Sequence, residues 1–419
     1  MPALKKTLRS ITPAPFLSLY HFFLAFLAAL LNGFPSRNIM VIGVTGTKGK
    51  SSTIEFLNAI FEAGGHQTAL ATTIRMKIAD DSKPNLLRMT MAGRFFLQHF
   101  LAKAVRSGCS VAFIEMTSEG ARQHRHRFID LDALVFTNLA PEHIESHGSL
   151  EAYANAKFEL GKQLARSRKR PRVIVANVND NLGARFLTLP VESAIPFALS
   201  MVTPYHADES GGTFRFDDYD MKVHIAGEFS LLNAVAAAEL ARALHIKTPA
   251  IAKGLDSLMK IPGRAEEIDG GQPFKVVVDY AHTPDSLKAI YAAYEQRRRI
   301  CVLGSTGGGR DMWKRPVMGS VADDLCHEII LTNEDPYDED PRAIVDMIAK
   351  GITKKTPLIV MDRREAIRAA LAKAEYGDAI IITGKGTDPN ICGPRGEKTP
   401  WSDAEVVREE LRARTVGKT

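Results

Sequence analysis

The segment "VIGVTGTKGKSST", residues 41–53, constrains this 419-residue chain more than any other part of it. An apolar run enters the segment, glycines at 43, 46 and 49 punctuate it, and Lys50 and Ser51 leave it. Glycines let backbone N–H groups approach phosphate oxygens, and the following helix N-terminus adds partial positive charge. The pattern predicts a strand–loop–helix unit for ATP or GTP, with Lys50 on the terminal phosphates and Ser51 on Mg²⁺. The generic motif has glycine where this chain has Val44.

Short apolar runs alternate with helical stretches along the rest of the chain. One series includes "VAFIEMTSE", "ALVFTNLA" and "RVIVANVND", and a second begins near residue 270 with "FKVVVDYAH", "RRICVLGSTGGG" and "DAIIITGKG". Buried parallel strands read as such runs. We therefore predict the α/β class, with a P-loop ATPase domain built on a mostly parallel sheet (39–261) and a Rossmann-like carboxyl-terminal domain (262–419). Proline and glycine in "KIPGRAEE" mark the boundary between them.

An uncharged apolar segment, residues 16–34, precedes the first domain. Lys5, Lys6 and Arg9 come before it and Arg37 follows it. Three interpretations stay open for residues 1–38: a helix lying on or anchored in the inner face of a membrane, a helix packed on the body of the protein, or a cleaved export signal. The sequence "NGFPSR" is a poor cleavage site, which disfavours export. Positive flanking charges would keep the amino-terminal end cytoplasmic.

Composition excludes several classes of protein. The net charge is +6, but the basic residues are scattered and lack interleaved aromatic residues, so we expect no nucleic-acid binding. The four cysteines lie far apart without a CxxC pair. That spacing predicts neither a disulfide framework nor a zinc site, and favours a reducing cytosol.

A second group of polar residues follows two of the predicted strands. Glu115 ends "VAFIE", and the segment "FTNLAPEHIESHG" after the next strand carries Asn138 and His143. Lys157 lies in the helix predicted after it. Because the carboxyl ends of parallel strands meet at one edge of a sheet, Glu115 and His143 could share a metal ion with the nucleotide. Surface or structural roles for both residues stay open.

Nine motifs in order carry a resemblance to a known family. They are "GVTGTKGKSST", "IEMTSE", "FTNLAPEHIESHG", "GEFSLLNAVAAAEL", "PGRAEEI", "VDYAHTPDSL", "GGGRDMWKRPVMG", "NEDPYDEDP" and "TGKGTD". Together they resemble the Mur ligase family, ATP-dependent enzymes that form amide bonds in cell-wall peptide synthesis, and are most similar to its MurE-type members. The match runs over residues 39–415, and the apolar segment stands where the family has its UDP-binding domain.

The resemblance implies a role for each matching position. For the nucleotide it implies Gly46, Thr47, Lys48, Gly49, Lys50, Ser51, Ser52, Asn138, Asn233, Arg264, Asp279 and His282. For two Mg²⁺ ions it implies Ser51, Glu115, His143 and a carbamylated Lys157, and the catalytic set is Lys50, Glu115, His143 and Lys157. For the substrates it implies Thr72, Thr73, Thr90, Ser118, Arg310, Glu334, Asp335 and Lys385. In such a reaction ATP phosphorylates a carboxylate, and an amine attacks the acyl-phosphate, so positioning and charge neutralisation matter most.

Several motifs depart from the family pattern. Members that add meso-diaminopimelate carry Asp-Asn-Pro-Arg where this chain has Glu-Asp-Pro-Tyr at 334–337. Arginine suits a clamp on a distal carboxylate, whereas the acidic pair favours an ammonium group. The loop therefore favours lysine or another diamino acid, with Arg310, Lys314 or Arg395 as other sources of a clamp. "TMAG" in place of "TTP" and "EMTSEGARQH" in place of an "SSHAL" form alter the muropeptide side.

The resulting expectation is a cytoplasmic, monomeric ligase that adds the third stem-peptide residue to a UDP-muramoyl-dipeptide-like donor. It includes peripheral contact with the inner membrane face through residues 16–34, and a lipid-linked donor stays open. Two alternatives remain: another Mur-fold ligase, similar to folylpolyglutamate synthase or to MurT, and a membrane-docked nucleotide-binding scaffold without catalysis.

Overall fold

The computed structural model describes residues 14–87, 89–142, 144–309 and 311–416. The chain forms two compact units. The first comprises residues up to 139, 148–201 and 233–255, and the second comprises 140–147, 202–232 and the residues from 256 onward. Each unit is built around its own largely parallel sheet. The predicted α/β class is confirmed.

The first unit begins with a long apolar helix. Its helices are α1 (Ala14–Leu31), α2 (Lys50–Ala63), α3 (Arg94–Arg106), α4 (Ser118–Arg122), α6 (Leu150–Ala165) and α7 (Asn181–Leu187). Its strands are β1 (Met40–Thr45), β2 (Thr68–Ala71), β3 (Arg75–Ile78), β4 (Asp81–Pro84), β5 (Val111–Glu115), β6 (Ala133–Phe136), β7 (Val173–Asn177) and β8 (Ser193–Phe197).

These eight strands form one sheet in the order β4-β3-β2-β5-β1-β6-β7-β8. The pairs from β2 to β8 are parallel, and β3 and β4 add an antiparallel edge. Val44 of β1 lies opposite Glu115 of β5, and Thr45 lies opposite Phe136 of β6. The loops after β1, β5 and β6 therefore leave the same edge, where open α/β sheets bind ligands. Every residue of β5 and β6 is buried, as their continuous apolar runs predict.

The second unit contains helices and strands from several stretches of the chain. They are α5 (Ile144–His147), β9 (Tyr205–Asp208), β10 (Gly211–Phe216), β11 (Tyr219–Val223), β12 (Glu266–Glu267), β13 (Lys275–Asp279), α10 (Pro284–Ala292), β14 (Arg299–Leu303), α11 (Lys314–Leu325), β15 (Glu328–Leu331), α12 (Pro341–Ala349), β16 (Leu358–Ile359), α13 (Arg363–Lys373), β17 (Ala379–Thr383), β18 (Asn390–Cys392), β19 (Lys398–Pro400) and α14 (Asp403–Val416). Two further helices, α8 (Glu228–Ala243) and α9 (Thr248–Ser257), have residues in both units.

The main sheet of the second unit has the strand order β12-β13-β17-β14-β15-β16, and all pairs but β12 with β13 are parallel. Strands β9 to β11 form a separate antiparallel sheet, and β18 pairs with β19. Asp279 ends β13 opposite Thr383 of β17. This edge collects the residues that follow β13, β15 and β17.

Helix α1 packs on the first unit through small side chains. Ala25, Ala28 and Ala29 are buried, and the helix lies against α3. The rings of Phe22 and Phe26 lie 5.1 and 5.4 Å from that of Phe128. Of the three interpretations of this segment, packing on the body is the arrangement found here. Within the described ranges, no helix combines the length and apolar character needed to span a membrane.

The prediction that the cysteines form no disulfide was wrong. Cys301 of β14 and Cys326, at the end of α11, are bonded, with their Cα atoms 6.0 Å apart. Both are buried, and Cys109 and Cys392 are buried free thiols. No spacing pattern indicates this bond, because the fold brings together two cysteines that are separated by 25 positions.

Candidate active site

The glycine-rich turn between β1 and α2 requires glycine at two positions. Gly46 has φ +150° and Gly49 has φ +83°, which side chains rarely adopt. A Cβ atom on Gly46 would collide with Thr137 Oγ1, and one on Gly49 would collide with Asn233 Oδ1. The turn is thus packed closely from both sides. At the N-terminus of α2, which begins directly after the turn, the first backbone N–H groups have no partner within the helix.

Asn138, which follows β6, holds the turn in place. Its backbone oxygen accepts the Thr47 N–H at 2.8 Å, and its Oδ1 accepts the Lys48 N–H at 2.9 Å. Lys50 Nζ donates to the carbonyl oxygens of Gly46 and Thr47 at 3.1 and 2.9 Å. The lysine therefore lies curled over the turn, where a terminal phosphate would compete for its ammonium group.

Glu115 is 2% exposed and lies beside this turn. Its Oε2 accepts hydrogen bonds from Ser51 Oγ at 2.9 Å and from the backbone N–H of Thr73 at 2.8 Å. Its Oε1 lies 4.0 Å from Lys50 Nζ. A hydroxyl and a carboxylate side by side at a phosphate turn are the ligands that Mg²⁺ prefers, because it usually binds one or two carboxylates plus substrate phosphates. These residues fit a magnesium-bound nucleotide.

Lys157 reaches the same turn from α6. It is 2% exposed, and its Nζ donates to the Gly46 carbonyl oxygen at 2.7 Å. The Nζ atom lies 4.5 Å from the centre of the Tyr153 ring. Ser149 caps this helix by accepting the Ala152 N–H, which fixes the direction in which α6 leaves the loop. The structure thus brings Lys157 to the glycine-rich turn between β1 and α2. His143 lies outside the described residues.

The threonines expected on the donor side have two different environments. The Thr73 hydroxyl donates to Glu115 Oε2 at 3.1 Å and lies 3.0 Å from that of Thr90, so both are close to the carboxylate. Thr72 is fully buried and bonds to the Arg75 carbonyl oxygen within its own turn. Ser118 is a buried first residue of α4. The structure therefore brings Thr73 and Thr90 together at Glu115 and places Thr72 in the turn behind them.

Asn233 and Ser52 complete the predicted nucleotide residues of the first unit. Asn233 is buried, and its Oδ1 accepts from Thr53 Oγ1 at 3.4 Å beside Gly49. Ser52 is buried in the first turn of α2. Asn233 therefore packs against the glycine-rich turn at Gly49.

Arg264, Asp279 and His282 lie near one another in the second unit. Asp279 accepts the N–H groups of Ala265 and Ala281, each at 2.7 Å, which fixes the chain on either side of it. The Arg264 guanidinium lies 4.5 Å from the centre of the Tyr280 ring. His282 Nε2 donates to Glu142 Oε1 at 2.8 Å.

The residues expected at the acceptor site are buried and mostly paired with each other. Lys385 Nζ donates to Asp335 Oδ1 at 2.9 Å and to the Asn390 carbonyl oxygen at 2.6 Å. Glu334 is 3% exposed and accepts from Thr306 Oγ1 at 2.7 Å. Burial raises the pKa of Glu334, and the positive charge of Lys385 opposes that rise. The charge of Asp335 is thus already matched, which leaves Glu334 as the carboxyl group of this loop that could meet a further ammonium.

The three basic residues considered as clamps differ in position. Arg310 lies outside the described residues. Lys314 is buried at the start of α11, and Arg395 is exposed in the turn between β18 and β19. Tyr337, at the position of the family's clamping arginine, has φ +53°, and its N–H donates to the Cys392 carbonyl oxygen at 3.0 Å.

Sequence reasoning missed three residues of this site. Thr137 Oγ1 donates to the Lys48 carbonyl oxygen at 2.6 Å, and the Tyr153 hydroxyl lies 3.3 Å from Thr47 Oγ1. Glu142 lies in the segment "FTNLAPEHIESHG", but nothing in the sequence links it to His282, which is 140 positions away. Tyr153 had a usable signal, because it precedes Lys157 by four residues on a predicted helix and must share its face. Thr137 had none beyond its position after a strand.

Two family models match the chain. They are the Mur ligase middle domain, over residues 44–241, and the Mur ligase glutamate ligase domain, over residues 263–386. The chain is 34% identical to a UDP-N-acetylmuramoyl-L-alanyl-D-glutamate--2,6-diaminopimelate ligase of Bacillus cereus, over 93% of this chain and 82% of that one. A ligase of the same name from Caldanaerobacter subterraneus subsp. tengcongensis is 35% identical, with 90% and 79% of the two chains covered.

Solved structures agree with these relatives. A structure of a ligase with that name superposes with a TM-score of 0.62 at 27% identity, over 90% of this chain and 79% of that one. Mycobacterium tuberculosis folylpolyglutamate synthase, complexed with ADP and AMPPCP, has a TM-score of 0.69 at 16% identity, over 96% and 99%, which is a likeness of fold. The sequence matches over nearly the whole chain show that it belongs to the Mur ligase family, whose members are ATP-dependent ligases that form amide bonds.

Proposed function

We propose that the enzyme adds a diamino acid to the D-glutamate carboxylate of a UDP-N-acetylmuramoyl-dipeptide. The observation that carries this proposal is Glu115 beside the phosphate turn, in a chain whose relatives are named for that reaction. A carboxylate does not react directly with an amine to form an amide, because oxide is a poor leaving group. Transfer of the ATP γ-phosphoryl group to the carboxylate gives an acyl-phosphate and ADP, and the amine then displaces phosphate and loses a proton as the amide forms.

The residues of the turn would act by positioning and by charge. Lys50 and the N–H groups at the start of α2 would hold the phosphates, and Ser51 and Glu115 would hold Mg²⁺. The ion would neutralise charge that develops on the transferring group. Thr73 donates a hydrogen bond to Glu115, so it would connect the part of the site that binds the donor with the part that binds Mg²⁺.

We further propose a second Mg²⁺ held by His143, Glu115 and a carbamylated Lys157. The burial of Lys157 beside the turn supports this, and CO₂ adds to the neutral form of a lysine amine. The reaction gives a carbamate anion and one proton. An anion there could face a cation at the turn, whereas the amine faces the Gly46 carbonyl oxygen.

For the acceptor we propose lysine or another diamino acid with a free terminal ammonium. Tyr337 replaces the arginine that would clamp a distal carboxylate, and Asp335 is matched by Lys385. Glu334 would be the partner of the ammonium group. Arg264, Asp279 and His282 would contribute to ATP binding.

The enzyme is proposed to be a cytoplasmic monomer that touches the inner membrane face through residues 16–34, with no nucleic acid among its partners. Purified protein assayed with UDP-linked and with lipid-linked muramoyl-dipeptide, against a panel of amino acids, tests donor and acceptor together. Acceptor-dependent phosphate release with the UDP-linked donor and lysine supports the proposal. Release that ignores the acceptor contradicts it.

A further inference from the structure

The outward face of α1 is more apolar than its inward face. At helical spacing, Phe16, Leu19, Phe23 and Leu30 are 67%, 65%, 59% and 51% exposed. The side turned to the protein instead carries the three alanines at 25, 28 and 29. A surface helix of a water-soluble domain normally has the opposite arrangement, with its large apolar residues facing the core. Helix α1 therefore exposes the large apolar side chains that a surface helix normally buries.

Polar contacts hold α1 in this orientation. Ser18 Oγ lies 2.7 Å from His124 Nε2, and His21 Nδ1 lies 2.8 Å from the guanidinium of Arg94. Both contacts are made to the body of the first unit. The helix is thus fixed with its apolar stripe outward.

Exposed apolar side chains are concentrated in and beside this helix. Of the 24 large hydrophobic side chains exposed in the described part of the chain, thirteen lie in residues 16–31 and 86–96, which together hold 27 residues. Phe95 and Phe96 follow Arg94, the residue that bonds to α1, and are 42% and 37% exposed. An apolar surface of this kind on a folded protein marks an interaction site.

In the sequence, the longer segments that contain these two stretches carry basic residues and no acidic ones. Residues 1–37 and 83–106 carry nine Lys or Arg and no Asp or Glu, in a chain of net charge +6. The rest of the chain is therefore net negative. A stripe of Phe and Leu flanked by cations fits an anionic lipid surface, into which an amphipathic helix sinks its apolar face while basic residues contact the headgroups.

We propose that α1 and the start of α3 form a docking surface for the anionic face of a phospholipid bilayer. A second copy of this chain is disfavoured as the occupant, because two like-charged basic surfaces would face each other. The inference deepens the membrane contact proposed for residues 16–34, and it rests on the proposed cytoplasmic location for the side of the membrane that is contacted. Docking through this surface would hold the enzyme close to the membrane, together with its residues Thr73, Thr90 and Glu115.

Flotation of the full-length protein with vesicles tests the proposal. Vesicles of phosphatidylcholine with about a third phosphatidylglycerol should bind the protein and those of phosphatidylcholine alone should bind it far less, since basic residues near an anionic surface contribute to binding. The variant Leu19→Gln, Phe23→Gln, Leu30→Gln should bind the anionic vesicles about 100-fold more weakly, because three inserted side chains are lost. A control variant, Met201→Gln, Met259→Gln, Tyr376→Gln, changes three residues outside this surface that are 53%, 62% and 89% exposed, and it should bind like the wild type.

Two further measurements on the same samples separate the explanations. Light scattering reports the oligomeric state, and a dimer that the α1 variant dissolves, with no vesicle binding by the wild type, would overturn the proposal in favour of a second copy. Equal vesicle binding by the wild type and the α1 variant would also overturn it. Acceptor-dependent phosphate release without vesicles should be the same in all three proteins. Wild type that floats but releases no phosphate refutes the ligase proposal and leaves the docking surface standing.

Discussion

Ser51 Oγ lies 2.9 Å from Glu115 Oε2, although 64 positions separate the two residues. The parallel pairing of β1 with β5 brings the two residues together. Val44 of β1 lies opposite Glu115 of β5, and α2 begins after the glycine-rich turn that follows β1. A phosphate turn, a hydroxyl and a carboxylate are thereby fixed at one sheet edge.

Glu115→Gln should lower the turnover rate about 100-fold or more, because the amide keeps the shape of the side chain but loses the charge that a cation needs. The Mg²⁺ concentration for half-maximal activity should rise as well. Steady-state phosphate release against Mg²⁺ concentration measures both effects. Glu405→Gln, an exposed carboxylate on α14, is the control and should leave both values unchanged. A Glu115→Gln enzyme with wild-type Mg²⁺ dependence would show that this carboxylate does not bind the metal.

Lys157 should carry a carbamate that is visible by NMR. Protein equilibrated with ¹³C-bicarbonate should give a protein-bound carbonyl signal that is absent from Lys157→Met. The variant should lose about 100-fold or more in activity, because a charged group close to the reacting phosphate is removed, and a small carboxylate in the buffer should restore part of it. Lys162→Met, on the exposed side of the same helix, should keep both signal and activity. The same signal in Lys157→Met would refute the assignment.

Acid should weaken the first unit through His126. This side chain is 1% exposed, and burial lowers its pKa to about 3. A histidine whose pKa is lowered by folding contributes stability above its unfolded pKa and loses it as pH falls toward the folded value. Between pH 7.5 and 5 the free energy of unfolding should therefore drop by about 2 kcal/mol through this group.

Amide hydrogen exchange in β5 and β6 measures that loss within the first unit. His126→Phe should remove this part of the pH dependence, whereas His99→Asn, at an exposed histidine of α3, should retain it. An unchanged pH dependence in His126→Phe would mean that other groups cause the acid sensitivity.

Asp403→Asn should destabilise the second unit by about 3 kcal/mol, because it leaves the buried Arg363 guanidinium without its carboxylate. The two side chains are 1% and 0% exposed, and Arg363 makes a two-bond contact with Asp403 at 2.8 and 2.7 Å. Trp401 Nε1 also donates to Asp403 Oδ1 at 2.8 Å, so tryptophan fluorescence in urea follows this region. Asp346→Asn breaks the exposed pair with Arg342 and should cost about 0.5 kcal/mol or less. Similar losses in both variants would contradict the argument.

Tyr337→Arg should change the choice of acceptor. A guanidinium at this position supplies the fork that binds a carboxylate, so diaminopimelate should gain about 10-fold or more in kcat/KM relative to lysine. Competition between the two acceptors, resolved by mass spectrometry of the product, measures the ratio. Tyr376→Arg, at a residue that is 89% exposed, is the control. An unchanged ratio would place the acceptor's distal end elsewhere.

Much of the site was predictable because local rules determine it. The strand–loop–helix motif predicts the turn at Gly46 and Gly49, and the rule that parallel strands end at one edge brings Glu115 and Asn138 to it. The apolar runs predict both largely parallel sheets for the same reason. Side chains at strand ends are therefore the part of a site that sequence alone places well.

The contacts that were not predicted join residues with no shared local pattern. Lys385 neutralises Asp335 across 50 positions, so an acidic pair in the sequence is not an acidic pair in the fold. Cys301 and Cys326 form a bond that no spacing rule indicates. For helix α1, membrane contact and packing on the body of the protein were both compatible with the sequence, because the periodicity of apolar residues does not show which face of a helix is covered.

The most direct test of the account is acceptor-dependent phosphate release by the wild-type enzyme, with ATP, Mg²⁺ and UDP-N-acetylmuramoyl-dipeptide, with and without lysine. We expect one phosphate released for each amide bond formed, and a product heavier than the donor by one acceptor residue. ATP hydrolysis that proceeds equally without donor or acceptor, with no new amide product, would contradict it.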